Sequence, residues 1–215
     1  MPELVAVSPY EAVLGERMQL LHPRLRAYFG AIPRGQHGWG AGVFHTAGTP
    51  GRWLRPLLRP LHSQGILLAD WQRDVPFTVL NEPGDRGSVR AARRFQLRGG
   101  DWVMVDEIGL DARGRLTDRL GRTGLIEAVF RADVVDGALQ LRSTRVALRA
   151  GRLRLGLPGF LAPRVLLIER WDEKDERQHV TLTMTAPLLG TLYEYGGSFR
   201  YEIRQGERHA WPDES

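Results

Sequence analysis

The sequence contains no cysteine among its 215 residues. The chain can therefore form no disulfide and no thiolate nucleophile, and it has no Cys ligand for zinc. A chain of this length buries enough apolar surface on folding to be stable without such cross-links. We therefore expect a protein of a reducing compartment and predict a cytoplasmic location.

Long hydrophobic runs are also absent. No stretch approaches the roughly 18 apolar residues that a membrane-spanning helix requires. The first residues, MPELVAVSPYEAV, lack the basic segment and the apolar run of an export signal. We expect neither a membrane span nor export.

Lysine is almost missing, since Lys174 is the only lysine among 30 basic residues. It lies in the charged sequence WDEKDER, where an amine stays hydrated, so we predict an exposed side chain without Schiff-base chemistry. The arginines are spread along the chain rather than clustered. The net charge of +5 therefore predicts a solvated basic surface and no nucleic-acid partner.

Motifs of common catalytic sites are missing as well. The sequence has no Gly-rich phosphate loop, no G-x-S-x-G elbow and no H-E-x-x-H, and its six histidines are isolated. We predict no catalytic residue, no metal and no cofactor. These absences favour a binding domain over an enzyme.

What is present begins with a helix signal at the N-terminus. Ser8 is a suitable N-cap, Pro9 suits the first helical position, and Glu11 is placed to complete a capping box. Apolar residues then recur every three or four positions, at Leu14, Met18, Leu21, Leu25 and Phe29. The spacing predicts a helix over about 9–29, kinked or split at His22-Pro23 and packed on a sheet.

Two segments after this helix have mixed signals. The Gly-rich sequence GQHGWGAGVFHTAG predicts a strand to whose backbone another group comes close, with Trp39, Ala41, Val43 and His45 on one face. Leucines then follow at helical spacing, but Pro56 and Pro60 interrupt them. We expect a short broken helix or an irregular turn there.

From Val75 onward the hydrophobic period changes to two, which is typical of strands. Alternating segments span 75–79, 89–97, 102–110, 126–134 and 180–186, with turn signals between them. The fold class that we predict is mainly β (α+β), in one domain over 1–215 with a β-rich body over about 37–205. We expect an antiparallel curved sheet or β-barrel of about eight to ten strands, with the N-terminal helix packed on it.

The pair Gly99-Gly100 predicts a two-residue hairpin turn. That turn sets Phe95 opposite Met104 and Arg93 opposite Asp106, on a face that is otherwise apolar. One interpretation is a buried ion pair that fixes strand register. The other is that Arg93, oriented by Asp106, offers its remaining donors to a carboxylate or phosphate head group in a cavity lined by apolar side chains.

The C-terminal sequence GTLYEYGGSFRYEI alternates between aromatic and charged residues. It predicts an aromatic core strand. Alternatively, Tyr193 or Tyr195 offers a hydroxyl to a ligand where Gly197 leaves room.

Short motifs along the chain resemble those of one bacterial family. They are Leu14-Gly15 with Leu21-His22-Pro23, Arg93 with Phe95, Gly156 with Pro158, and G-x-L-x-x-Y-x-G-x-F from Gly190 to Phe199. The family is the bacterial domain of unknown function 4166 family, whose members occur alone or fused to saccharopine-dehydrogenase-like domains. The resemblance implies no activity, but it implies a saccharopine-dehydrogenase-like partner.

One motif departs from the family pattern. Arg93 and Phe95 match the end of the family's W-x-R-x-F, whereas Ala91 stands at the position of its Trp. The smaller side chain either enlarges a pocket or abolishes it. Tyr195 and Gly197 also lie on family motif positions.

These observations predict a protein that holds an apolar or amphipathic small molecule, such as a lipid with an anionic head group, in a β-sheet cavity. The predicted ligand-binding residues are Arg93, Phe95, Met104, Asp106, Tyr193, Tyr195 and Gly197. An alternative is an enzyme or accessory domain acting on an acidic or lipid-like substrate, with Arg93 as anion clamp and Asp106, Glu127 or a tyrosine as acid or base. A further alternative is a scaffold whose sheet binds another protein.

Overall fold

A computed structural model describes residues 7–150, 153–156 and 162–206. The N-terminal helical segment begins as its capping residues predict. Ser8 Oγ accepts from the Glu11 backbone N–H at 3.1 Å, and the Glu11 carboxylate accepts from the Ser8 N–H at 2.7 Å. Ser8 Oγ also donates to the Phe29 carbonyl at 2.5 Å, which ties the two ends of the segment together.

The predicted split of this segment is confirmed. Helix α1 spans Pro9–Leu14, a 3-10 helix spans Gly15–Leu20, and helix α2 spans Pro23–Phe29. Pro23 lies at the start of α2, where its missing N–H is not needed. The break at Leu21-His22 lets the chain turn while both helices keep their apolar sides on the barrel.

Helix α3 spans Arg55–Ser63 without interruption, so the expectation of a broken helix or irregular turn is wrong. Pro56 lies in the first turn, where no backbone donor is required, and only Pro60 is inside the helix. Leu54 and Leu58 are buried in the core. Their burial outweighs the hydrogen bond that Pro60 removes.

Within the part of the chain that the structure describes, eleven strands form the body, and each pairs antiparallel with its neighbours. Their spatial order is β6-β5-β4-β3-β2-β1-β11-β10-β9-β7-β8, and β6 also pairs with β7. They are β1 Gln36–Gly48, β2 Trp71–Pro83, β3 Val89–Leu97, β4 Gly100–Leu110, β5 Leu116–Leu120, β6 Ile126–Val135, β7 Ala138–Ala150, β8 Leu153–Gly156, β9 Arg164–Asp172, β10 Arg177–Ala186 and β11 Gly190–Gln205. The β6–β7 pairing closes ten strands into a barrel, and β8 pairs with the end of β7. The predicted β-barrel is therefore confirmed.

The close approach predicted for the Gly-rich strand β1 is also found. A Cβ on Gly42 would lie 2.5 Å from Cβ of Phe199, and one on Gly40 would lie 3.2 Å from the Phe199 ring. A Cβ on Gly38 would overlap the Tyr201 ring. The glycines thus let aromatic side chains of β11 fill the barrel beside β1.

The helices cover the two ends of the barrel. Helices α1 and α2 precede the start of β1, whereas α3 follows its end, so they lie at opposite ends. The N-terminal helices contribute Leu14, Met18, Leu21, Leu25 and Phe29 to a core shared with Leu116, Ala132, Leu139 and Leu141 of the strands. No helix among the described residues is long and apolar enough to cross a membrane.

Candidate functional site

An ion pair between Arg93 and Asp106 lies inside the barrel, with side chains 17% and 2% exposed. Arg93 Nη1 donates to Asp106 Oδ1 across strands β3 and β4. The two residues are diagonal neighbours, because Arg93 pairs directly with Met104 and Asp106 with Ala91. Apolar positions of both strands surround the pair, so an isolated charge here would be unstable.

The predicted register of this hairpin is wrong, although the predicted face is right. Leu97 pairs with Gly100, so the turn consists of Arg98 and Gly99 rather than the two glycines. Gly100 has a φ of +118° and takes part in the first strand pair. Because the turn lies one residue earlier than predicted, each residue of β3 pairs with a β4 residue two positions earlier than predicted. Side chains alternate between faces with a period of two, so each side chain still lies on the predicted face.

Asp118 of β5 continues the polar row. It pairs directly with Ile108, so it is a diagonal neighbour of Asp106 just as Asp106 is of Arg93. Its Oδ1 atom is buried and has no hydrogen-bond partner among the described residues. Burial raises the pKa of Asp118 well above its ordinary value, and the Asp106 carboxylate raises it further.

Glu169 of β9 supplies another buried acid, which is 5% exposed. Burial raises the pKa of Glu169 to about 7, against the hydrogen bond from Gln178 and the charge of Arg93, which lower it. The Gln178 Nε2 atom donates to Glu169 Oε2. Glu169 therefore changes its charge near neutral pH, unlike a solvated glutamate.

A recess opens beside Arg93 and Asp106 under the N-terminal helices. It is lined by Tyr10, Tyr28, Phe29, Gly30, Ile32, Asn81, Val89, Ala91, Arg93, Asp106 and Ile108. Its volume is about 20 Å³, which is room for about one water molecule. Burial raises the pKa values of Tyr10 and Tyr28 well above their ordinary range, so both phenols stay protonated.

Four of the predicted ligand-binding residues pack together in the core instead of lining this recess. They are Phe95, Met104, Tyr193 and Tyr195, which belong to one buried apolar cluster. The Phe44 ring lies 5.1 Å from that of Phe95 and 4.8 Å from that of Tyr195. Met104 pairs directly with Arg93 on the neighbouring strand. The predicted contact of these residues with a ligand stays a prediction.

The space beside Gly197 is filled by protein. A Cβ at this position would lie 2.1 Å from the Val43 carbonyl oxygen and 2.7 Å from Cα of Phe44. Gly197 thus lets β11 approach β1 closely, which is a structural reason for glycine here. Tyr193, the other predicted tyrosine, is 1% exposed and lies in the same core.

The sequence reasoning missed Asp118, Glu169 and the two recess tyrosines. Asp118 lies between Leu116 and Leu120 at inward positions, which is the signal that singled out Arg93. Glu169 similarly alternates with Leu167. For Tyr10 and Tyr28 no sequence signal exists, because they reach the site only when the helices cover the barrel.

Other residues considered from the sequence lie elsewhere. Glu127 belongs to the outer wall, where it contacts arginines, and is not part of this site. Lys174 is exposed, as predicted.

The structure also places Asp172, Asp175 and His179 on the β9–β10 hairpin, with one potential ligand atom each within 4.8 Å of the others. His179 is hydrogen-bonded to Asp175, and Asp172 accepts from Arg170 and the Lys174 N–H. These bonds account for the cluster as a charged turn.

Comparison with known proteins agrees with the motif resemblance. The chain is 25% identical over 196 residues to the uncharacterized protein YndH of Bacillus subtilis (strain 168), covering 86% of this chain and 93% of that protein. No solved structure matches. The model of the family described as Domain of unknown function (DUF4166) matches residues 21–199, and the chain therefore belongs to this family.

Proposed function

We propose that the barrel binds a small amphipathic molecule whose anionic head group contacts Arg93 and whose apolar part lies under the N-terminal helices. The observation that carries the proposal is the buried Arg93 guanidinium beside the recess. Its side chain has five N–H donors, and among the described residues only Asp106 accepts a hydrogen bond from it. A carboxylate or phosphate matches the geometry of the remaining donors.

The recess accepts about one water molecule, so the apolar part of the ligand takes the place of helix side chains. Leu21, Leu25 and Phe29 cover the barrel end through apolar packing. Backbone contacts, such as that of the His22 N–H with the Gly137 carbonyl at 3.0 Å, complete the cover. An alkyl chain offers the barrel equivalent apolar contact, which offsets the displacement of these side chains.

Titration with decanoate and with decanol tests the proposal. We expect decanoate to bind and decanol to bind at least about tenfold more weakly, because only the anion gains a charged hydrogen bond. The double variant Arg93→Met, Asp106→Leu removes both charges at similar volume and should fold but lose decanoate binding. Arg94→Met on the outer face is the matched control. Equal affinity of the double variant and the wild type would reject the proposal.

A second candidate function is acid–base catalysis inside the barrel. Glu169, whose pKa burial raises to about 7, is suited to proton transfer near neutral pH. The substrate would be an acidic or lipid-like molecule anchored by Arg93. Native mass spectrometry before and after incubation with a bound acid distinguishes simple binding from catalysis, because only an enzyme converts the acid. In an enzyme, Glu169→Gln should stop conversion without stopping binding.

We also propose that binding takes place in the cytoplasm, because a cysteine-free fold needs no oxidising compartment. A saccharopine-dehydrogenase-like partner, implied by the motif resemblance, is part of the same proposal. Co-purification from bacterial cytosol tests both statements.

A further inference from the structure

A row of alternating charges crosses the outer wall of the barrel. The strand register pairs Glu82 with Arg90, Arg90 with Glu107, Glu107 with Arg119, and Arg119 with Glu127. Opposite charges on directly paired positions favour the pairing of neighbouring strands. From β2 to β6 the row is therefore explained by strand pairing.

The balance is lost where the row reaches β7 and β8. Arg149 pairs directly with Arg154, although like charges on paired positions destabilise a sheet. Both guanidinium groups approach Glu127 Oε2, at 3.6 and 3.4 Å, and Arg119 approaches the same oxygen at 3.8 Å. One carboxylate thus faces three guanidinium groups, and Arg149 and Arg154 have no acidic residue at a directly paired position between them.

The carboxylate does not use the donors of these arginines. Glu127 Oε2 is buried and accepts no hydrogen bond from the described residues. The Nε atoms of Arg119 and Arg149 are also buried and have no partner among them. A buried donor without an acceptor costs free energy. An anion that accepts hydrogen bonds from these arginines would therefore be bound favourably.

A cleft of about 460 Å³ gives access to the cluster. Its charged lining consists of four arginines and two acids, which leaves an excess of two positive charges: Arg90, Arg119, Arg122, Arg149, Asp106 and Glu107. The turn residues Gly121, Thr123 and Gly124 complete the lining. Glu107 and Arg119 lie on the outer face of the sheet, opposite to the face that carries Arg93, and Asp106 lines both the cleft and the recess. A site formed by the outer arginines does not depend on the function proposed above.

We propose that this cleft is a binding site for a dianionic oxyanion of the phosphate class, held by Arg119 and Arg149. Two negative charges match the excess of two positive charges. The planar forks of arginine bind phosphate oxygens through paired hydrogen bonds. The chemistry fits a soluble phosphate ester and a lipid phosphate equally well.

Isothermal titration with glycerol 3-phosphate, a phosphate ester that is a dianion at about pH 7.5, tests the site in the full chain at low ionic strength. We expect saturable binding that Arg119→Ala and Arg149→Ala each weaken at least about tenfold. Arg170→Ala, which removes an exposed arginine paired with Asp172, is the matched control and should bind like the wild type. Absence of saturable binding to the wild type, or equal weakening by Arg170→Ala, would overturn the proposal.

Glu127→Gln gives a result that a merely structural cluster cannot give. Removing the competing carboxylate should strengthen glycerol 3-phosphate binding by about threefold or more, even where it lowers the melting temperature. Unchanged or weaker binding by the folded variant would count against the site. Flotation with vesicles that contain phosphatidic acid distinguishes a lipid phosphate from a soluble phosphate ester. If the wild type binds these vesicles and Arg149→Ala does not, the ligand of the cleft is a lipid phosphate.

Discussion

Asp106 binds the Arg93 guanidinium through one carboxylate oxygen, while its other oxygen, Oδ2, is buried without a hydrogen-bond partner among the described residues. A buried acceptor without a donor costs about 1–3 kcal/mol. The ion pair is therefore not a saturated structural link. It retains an acceptor on Asp106 and donors on Arg93, which a ligand or a water in the recess can use together.

The first prediction concerns the stability of this pair. Arg93→Met and Asp106→Leu should each lower the free energy of unfolding by about 3 kcal/mol, because each leaves one buried charge without its partner. The double variant should recover most of the loss, since no charge remains in the apolar interior. Urea denaturation of the three variants measures these values.

The control for this prediction is the exposed pair on the same hairpin. Arg94 Nη1 lies 3.7 Å from Asp101 Oδ2, and the side chains are 60% and 49% exposed. Arg94→Met should change stability by less than about 1 kcal/mol. A double variant at positions 93 and 106 no more stable than either single variant would contradict the argument.

The β3–β4 hairpin shows which features the sequence predicts and which it does not. Alternation identified the inner face and placed Arg93 and Asp106 on it, because side-chain direction depends only on whether a position is odd or even. The turn itself was misplaced, since Gly99 and Gly100 fit it as well as Arg98 and Gly99 do. The recess depends on Tyr10 and Tyr28, which reach Arg93 only after distant segments pack together. No local pattern encodes that contact.

Strands β7 and β9 show a second limit. Neither strand was predicted, because its apolar and polar residues do not alternate with a period of two. Strand β9 contains an apolar run, and β7 contains repeated arginines. Closure of the barrel depends on β6–β7 pairing, so a curved sheet and a barrel were equally consistent with the sequence.

Glu169 gives a prediction for the pH dependence of stability. Its pKa is raised from 4.5 to about 7, so the folded protein binds this proton more tightly than the unfolded chain does. The free energy of unfolding should therefore fall by about 3 kcal/mol as the pH rises from about 4.5 to about 7, and level off above. Glu169→Gln should remove this contribution.

Chemical denaturation at pH 5 and pH 8 checks the Glu169 prediction. The free energy of unfolding of Glu169→Gln should be close to that of the wild type at pH 5 and higher than it at pH 8. At pH 8 only the wild type buries a charged carboxylate at this position. Glu176→Gln, at an exposed turn residue, serves as control. A constant difference between variant and wild type across this range would show that Glu169 does not titrate there.

Filling the recess gives a prediction that leaves Arg93 and Asp106 intact. Ala91 is 4% exposed and lines the recess. Ala91→Leu should abolish decanoate binding and cost about 1–3 kcal/mol, because the larger side chain overfills the space. Ala92→Leu adds the same bulk on the opposite face of β3 and should bind decanoate normally. Calorimetry that finds Ala91→Leu binding like the wild type would place the ligand elsewhere.

The last prediction compares two neighbouring glycines of β11. A Cβ at Gly197 would lie 2.1 Å from the Val43 carbonyl oxygen and 2.9 Å from the Val43 carbonyl carbon, both of them backbone atoms that cannot rotate away. A Cβ at Gly196 would meet its nearest atoms at 3.9 and 4.0 Å, which is ordinary contact. Gly197→Ala should therefore force β1 and β11 apart and destabilise the fold by about 3 kcal/mol or more, whereas Gly196→Ala should change stability by less than about 1 kcal/mol. Thermal denaturation followed by circular dichroism measures both. If Gly197→Ala melts like Gly196→Ala, the two strands are not packed as closely as described, and the space beside Gly197 becomes available to a ligand of the neighbouring tyrosines.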